Sequence, residues 1–388
     1  MKIANRMEKL APSLTLSITA LANELKAAGK DILSFSAGEP DFDTPQVVKD
    51  AAIKAINEGK TKYTAVEGIK ETKQAIINKL KKDHNLDYTL DKIVISNGAK
   101  HSLFNLAQAL IDEGDEVIIP SPYWVTYPEL VVYSGGVPVF IETDESTEFK
   151  ITAKQLKEKI TPKTKILMLN SPSNPTGSIY SRDELLAIGE VLKGTDIVVL
   201  SDEMYEKLIY KGKKFTATAE VSADMYNRTV TINGLSKSVA MTGWRFGYVA
   251  CPNSALAKAM SKLQGQVTSN VNSMTQYAAI VALEGEANKD IEMMRVEFEK
   301  RKDYAVKAIN SIEKLSCYDP DGAFYLFINI KEVSNESMKF CADLLESKGV
   351  ALVPGLAFGM EGYVRLSFAT SMKAIEDGIN RIKEFVEK

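Results

Sequence analysis

Lys237 ends the segment Asn233-Gly234-Leu235-Ser236-Lys237, a loop of small and polar residues after an apolar run, and Arg245 follows eight residues later in Met241-Thr242-Gly243-Trp244-Arg245-Phe246-Gly247. A lysine buried beside a second cation loses affinity for its proton and offers a nucleophilic amine for a Schiff base, each pKa unit being worth about 1.4 kcal/mol. Without those surroundings it is an ordinary surface lysine. Asp202 follows the apolar run 197–200. A carboxylate buried there needs a cationic partner, which a lysine, an arginine or a protonated ring nitrogen would supply. Tyr205, three residues on, either presents its hydroxyl to the same ligand or packs. Ser96-Asn97-Gly98-Ala99-Lys100 ends a strand and opens a helix carrying Leu103, Leu106, Ala107 and Leu110. Free backbone N–H groups and the positive dipole end meet at such a point, so an anion such as phosphate fits, although a plain strand-to-helix turn has the same composition. There is no GxGxxG or Walker A motif to suggest a nucleotide. Arg365, in Tyr363-Val364-Arg365-Leu366-Ser367-Phe368, alternates with the apolar side chains and so points away from their face. Its planar fork would hold a carboxylate by two parallel bonds, or it would lie solvated on an edge strand.

These residues need a scaffold that brings them to one place. From about residue 45 to 285, short β-branched runs at 93–95, 116–119, 137–141, 165–169, 197–200, 229–232 and 247–251 alternate with helical patterns. That alternation predicts an α/β domain, a mostly parallel sheet wound with helices on both faces. In such sheets ligands bind beyond the carboxyl ends of the strands, where the polar segments above fall. One helix should begin at Thr44-Pro45, with Thr44 as cap, Val48, Ala51, Ala52 and Ala55 as its apolar stripe, and Gly59 beyond its end. Residues 286–388 read as a smaller α+β domain, onto which residues 1–44 pack.

The chain has 388 residues, 45% of them hydrophobic, enough for two domains with substantial cores. Lys and Arg number 48 against 51 Asp and Glu, which leaves no basic surplus for a nucleic acid. Cys251, Cys317 and Cys341 are widely spaced, with no CxxC pair, and read as buried thiols of a reducing compartment. The N-terminus has no continuous apolar core of a signal peptide and no stretch is long enough to span a bilayer, so the cytoplasm is the expected location. His84 and His101 are the only histidines, which excludes HExxH and histidine-rich metal cages. The chemistry must rest on Lys, Tyr, Asp, Arg and Asn.

Taken together, eight segments resemble the class I and II, fold-type I, pyridoxal phosphate (PLP)-dependent aminotransferases, in particular their bacterial aspartate aminotransferase branch. They are AGEPDFDTP (37–45), KYTAVEG (62–68), SPYW (121–124), NSPSNPTG (170–177), SDEMYE (201–206), GLSKSVAMTGWRFG (234–247), PGLAFG (354–359) and VRLSFA (364–369). The resemblance spans nearly the whole chain. It implies that Lys237 carries PLP as an imine, that Asp202 pairs with the pyridinium nitrogen, that Tyr205 and Asn174 bond the phenolic oxygen, and that Trp124 stacks on the ring. Gly98, Ala99, Lys100, Ser236 and Arg245 would hold the phosphate, which Tyr63 would reach from the neighbouring subunit of a homodimer. Gly38 and Arg365 would receive the α-carboxylate of an amino acid or 2-oxo acid, with Trp124 and Asn174 beside it.

The implied reaction is ping-pong transamination, most simply of L-aspartate with 2-oxoglutarate, with Lys237 moving the α-proton. Lys100 looks like the lysine this branch uses for the side-chain carboxylate; a phosphate contact or a solvent-facing position is the other reading. Aromatic amino acids, kynurenine, methionine and alanine remain alternative substrates, and a β-lyase is an alternative outcome on the same fold. A ligand sensor is disfavoured, since the chain has no length to spare for a DNA-binding domain. Two departures stand out. Gly234 occupies the place where several relatives have a phosphate-binding serine, with Ser236 beside the lysine instead. Ala11 occupies the place of a lysine found in prephenate-using relatives, which argues against prephenate.

Overall fold

The computed structural model describes residues 1–387. After a short β1 (Leu33–Ser34), the large sheet is assembled from β2 (Ile93–Asn97), β3 (Glu116–Ser121), β4 (Val137–Glu142), β5 (Thr164–Asn170), β6 (Val198–Asp202), β7 (Thr229–Gly234) and β8 (Phe246–Ala250). Each corresponds to one of the seven apolar runs. The strands pair in the order β2-β8-β7-β6-β5-β3-β4. β8 is antiparallel to both neighbours and every other pairing is parallel.

Helices cover both faces, so β7 and β8 are buried along their whole length. Successive side chains of one strand enter different cores: Val117 and Ile119 pack with Leu103, Leu106 and Met260, whereas Ile118 packs with Leu185, Ile188 and Met225. The strands also run beyond the apolar runs that announce them, as far as Asn97, Asn170, Asp202 and Gly234. These polar termini are thereby held in the hydrogen-bonded ladder rather than in free loops.

The antiparallel β8 has a consequence for the site. Its first residue, Phe246, pairs with Asn97, and Gly247 pairs with Gly234. Arg245, which precedes a strand, thus reaches the same edge as residues that follow the other strands.

The second sheet comprises β9 (Ser316–Cys317), β10 (Tyr325–Asn329), β12 (Val353–Pro354) and β13 (Tyr363–Ser367), antiparallel in the order β12-β13-β10-β9, while β11 (Val350–Ala351) pairs in parallel with β1. Helices Asn288–Ile309, Ser337–Lys348 and Met372–Val386 pack on it through Phe298, Phe340, Leu344, Ile375 and Ile379. The N-terminal helix Leu14–Ala27 joins this part through Ala22, which clusters with Ile32, Leu345 and Ala351. Tyr205, Leu208 and Tyr210, from the turn after β6, belong to the same core, so this turn touches both sheets' surroundings.

One local expectation fails. The helix after Pro45 spans Gln46–Asn57 and no side chain caps it. Thr44 Oγ1 instead donates to Ala240 O at 2.7 Å and accepts from Trp244 Nε1 at 2.9 Å. A tertiary pair of bonds to the loop after Lys237 outcompetes the local cap. Val48, Ala52 and Ala55 are buried as the stripe requires, whereas Ala51 is only partly so. All three cysteines are buried and unpaired, and among the described residues no helix is long and apolar enough to cross a membrane.

Candidate active site

The carboxyl edge of the large sheet, the start of the N-terminal helix and strands β10 and β13 enclose a cavity of about 410 Å³. Its wall includes Gly38, Ala99, Lys100, Trp124, Asn174, Asp202, Tyr205, Ser236, Lys237, Arg245 and Arg365. Gly98 lies just behind the wall. Tyr63 is not part of it, and its side chain is 91% exposed.

Charge in the wall is unbalanced. Lys100, Lys237, Arg245 and Arg365 face two acids, Glu39 and Asp202. Among the described residues none of these four cations is ion-paired, whereas the fully buried Lys302 elsewhere pairs with Asp303 and Asp319. Arg365 is the extreme case. It lies on an interior strand and is buried, its Nη1 donating to Asn174 Oδ1 and its Nη2 to Ser36 O, both at 2.9 Å, while Nε has no partner. The guanidinium is held between the rings of Tyr325 and Phe358, at 4.4 and 5.0 Å from their centroids. A buried guanidinium without a carboxylate is costly unless a ligand supplies one.

Burial drives the two central ionisable groups towards neutrality. Burial, with Arg365 and Arg245 acting in the same direction against Glu39, lowers Lys237 from 10.5 to about 8, and its Nζ donates to Gly38 O. For Asp202, burial raises the carboxyl from 3.8 to about 6 against the pull of two hydrogen bonds, from Tyr127 Oη at 2.8 Å and Met204 N at 3.3 Å. No lysine or arginine is ion-paired with it among the described residues, so the simple salt-bridge reading is set aside.

At the opposite end, helix Ala99–Leu110 opens onto the cavity with no side-chain cap. Gly98 at its head has φ +80, and a Cβ there would lie 2.5 Å from Arg245 Nη2, so the guanidinium rests directly on the glycine. Arg245 itself adopts φ +56, a left-handed conformation uncommon for a side-chain-bearing residue and often found where function dictates geometry. Ser236 lines the cavity beside this helix start, where free N–H groups and the positive dipole end would favour an anion. Lys100 Nζ stands 4.8 Å from the centre of the Trp124 ring, and burial and Arg245 lower its pKa. A flat ligand with an anion at one end and a basic ring nitrogen at the other would meet complementary groups at both.

Sequence reasoning passed over several contributors. Tyr127, in the first turn of helix Thr126–Tyr133 and with its ring edge-on to Trp124 at 5.5 Å, is the hydroxyl donor to Asp202. Tyr325 bonds Tyr205, hydroxyl to hydroxyl at 2.9 Å, and stacks on Arg365. Asn170 fastens the site's centre, its Nδ2 donating to Asp202 O at 3.0 Å and its Oδ1 accepting from Asn174 N at 2.8 Å. Nothing local in the sequence marks Tyr325, which reaches the cavity through strand pairing between β10 and β13.

Residues 30–382 match the family model of aminotransferase class I and II. The chain is 50% identical over 392 residues to an aspartate aminotransferase of Geobacillus stearothermophilus, covering 100% of this chain and 99% of that protein. It superposes on the aspartate aminotransferase of Rhizobium meliloti with a TM-score of 0.96 and 42% identity, covering 100% of this chain and 99% of that one. The Thermus thermophilus aspartate aminotransferase with maleate gives 0.95 and 38%, with 99% of both chains covered.

Because burial raises the Asp202 carboxyl from 3.8 to about 6, its ionised form costs the protein stability in full above pH 6. The cost fades as pH falls through that value and is gone below about 4. Asp202→Asn should stabilise the ligand-free protein at pH 8 by about 3 kcal/mol and hardly at all at pH 4. Urea unfolding at the two pH values checks this, and an equal gain at both would locate the effect elsewhere. Tyr127→Phe should move the carboxyl's NMR titration to still higher pH.

Proposed function

The chain belongs to the class I and II aminotransferases, and from that premise we propose that it transfers the amino group of L-aspartate to 2-oxoglutarate, yielding oxaloacetate and L-glutamate. The observation that carries the reading is Arg365, a buried guanidinium stacked between two rings, with no carboxylate of its own and Nε unpaired. An α-carboxylate would complete it. Lys100 is a second unpaired cation in the same cavity, suited to the side-chain carboxylate of a dicarboxylic substrate. The three similar proteins described above are each named aspartate aminotransferase, which supports the same substrate.

We infer that the cofactor is pyridoxal phosphate, linked through Lys237. The anion corner at Gly98, Ala99, Lys100, Ser236 and Arg245 suits its phosphate, and Asp202 suits its ring nitrogen. Asn174 and Tyr205, in the cavity wall, would serve the phenolic oxygen, and Trp124 offers a ring face. When bound, the cofactor supplies an electron sink that stabilises the charge left on a substrate's Cα after deprotonation.

The chain's own residues account for the rest. Lys237, with its pKa near 8, has an appreciable neutral fraction at physiological pH, so its Nζ can act first as nucleophile and then as the base that takes the Cα proton. Asp202, once opposite a cationic ring nitrogen, regains its charge and keeps that nitrogen protonated. Arg365 and Gly38 orient the substrate so that the Cα–H bond faces Lys237. The full sequence is ping-pong, each half-reaction using one oxo acid or amino acid.

The exposed Tyr63, outside its own cavity, supports a homodimer in which it reaches the partner's phosphate site. The unpaired thiols suit the cytoplasm.

The test is spectroscopic. Purified protein given pyridoxal phosphate should acquire a visible absorbance band, which borohydride fixes at residue 237, and L-aspartate should convert the band to that of the pyridoxamine form. Conversion by tyrosine or alanine but not by aspartate or glutamate would sink the dicarboxylate reading. Lys100→Ala should lower kcat/KM for aspartate about tenfold or more while changing that for alanine less than about threefold. An equal loss for both would reassign Lys100 to the phosphate.

A further inference from the structure

Glu203 and Glu206 alternate with Asp202 and Tyr205 in one turn, yet neither lines the cavity and both are buried. Glu206 Oε1 lies 2.5 Å from Lys79 Nζ, and its Oε2 lies 3.1 Å from His84 Nε2. The other imidazole nitrogen, Nδ1, is 3.0 Å from Glu220 Oε2. Glu203 Oε1 accepts from Ser201 Oγ at 2.8 Å and from Thr218 N at 3.0 Å. The turn is therefore gripped from behind by three elements: the helix Lys70–His84, the end of β6, and the short 3₁₀ turn Thr218–Glu220.

An imidazole with a carboxylate at each nitrogen donates from both and is a cation. Burial pulls the His84 pKa down, but the bonds to Glu206 and Glu220 outweigh it and hold it at about 9. Burial would raise Glu206, yet Lys79 and His84 reverse this and keep the carboxyl well below its ordinary range. The C-terminal end of the helix favours the same cation. Other charges complete the surroundings. Lys79 also faces Asp83 at 3.4 Å, Lys207 pairs with Asp83 at 2.7 Å, and Arg182 approaches Glu220 at 3.8 Å. Burial raises Glu203 to about 7 against the field of His84. The Tyr248 phenol stands close to Lys79, and the Phe215 ring packs against the imidazole at 5.6 Å.

A buried charge network of this kind is a poor source of stability, since well-packed apolar side chains would do as well. What it supplies is direction. With Glu203 and Glu206 fastened behind the turn, their neighbours Asp202 and Tyr205 are directed into the cavity. A small void of about 40 Å³ separates Lys79, Asp83 and Glu206 from Leu235, Ser238 and Val239, which flank Lys237. The network's bonds end on Glu203 and Glu206 of the ring-binding turn.

We propose that His84, with Lys79, Glu206 and Glu220, is a positioning device for Asp202 and Tyr205, so that the charge of an imidazole outside the cavity sets how firmly the cofactor's ring is held. The proposal rests on the pyridoxal phosphate reading above and adds to it residues that touch neither cofactor nor substrate.

The test compares wild type, His84→Gln and the milder Glu220→Gln, which removes one anchor of the imidazole and leaves Glu206 paired with Lys79. Two readouts are needed. In the protein without cofactor, hydrogen exchange of the 202–206 amides should quicken in both variants. In the holoenzyme, His84→Gln should weaken pyridoxal phosphate binding about tenfold at pH 7, and Glu220→Gln about threefold. The ratio of the His84→Gln and wild-type dissociation constants should shrink towards one above about pH 9, where the wild-type imidazole loses its charge. A merely structural role would leave that ratio constant with pH. Unchanged exchange, or a ratio flat across pH, overturns the proposal, and if His84→Gln does not fold, the same criteria applied to Glu220→Gln decide. Failure of the wild type to bind pyridoxal phosphate would defeat the functional reading instead, and the exchange result would still judge the turn.

Discussion

The structure is organised around Arg365, a cation buried without an acid, and the cavity it borders. Half-buried Lys237 and the exposed Arg245 and Lys100 converge with it on that cavity, whose acids among the described residues are Glu39 and Asp202. Such an arrangement opposes folding, because desolvated charge is paid for only when a counter-charge arrives. Two cores, one on each side of the cavity, carry that load. The turn after β6 belongs to both settings: Asp202 ends a strand of the large sheet, while Tyr205, Leu208 and Tyr210 pack with Phe298, Phe324 and Phe368 beneath the smaller sheet. Under the proposed function, a dianionic phosphate and one or two carboxylates would balance this excess.

Lys237 and Asp202 feel the same burial with opposite consequences for use. A lysine moved from 10.5 to about 8 is improved as a nucleophile, since more of it is neutral. A carboxyl moved from 3.8 to about 6 is made worse as an anion. The difference explains why Asp202 needs help and Lys237 does not. Tyr127 donates a hydrogen bond to the carboxylate, Met204 N gives a second, and a cationic ring nitrogen would supply the remainder. The site is thus incomplete in a specific sense: its acid is tuned for a partner with a positive charge.

Much of this was legible in the sequence, for reasons that differ from residue to residue. The seven strands of the large sheet were readable because strands buried on both faces must be short apolar runs. Their polar ends were not, since hydrophobicity stops at Leu200 whereas the ladder continues to Asp202. Lys237, Asp202 and Gly98 stood out because small or charged residues there interrupt a core pattern. Strand direction has no such signature: that β8 runs antiparallel, and so delivers Arg245 from its leading end, depends on pairing across residues far apart in the chain. Arg365 was readable as off the apolar face but not as buried, because the rings that enclose it come from Tyr325 and Phe358. Thr44 misled for the same reason, a distant partner taking the oxygen that the helix would have used.

The polar residues missed in the sequence share a property that bears on how such a site evolves rigidity. Tyr127, Asn170 and Tyr325 each hold a residue that faces the cavity: Asp202, Asn174 and Tyr205 respectively. A supporting residue is constrained by its partner's position rather than by a ligand's chemistry, so its type alone announces nothing. Yet the partners cannot work without it, because an off-target carboxylate or amide loses a directional bond long before it loses its charge. The sequence therefore advertises the groups that do chemistry, and the fold adds the groups that make their geometry singular.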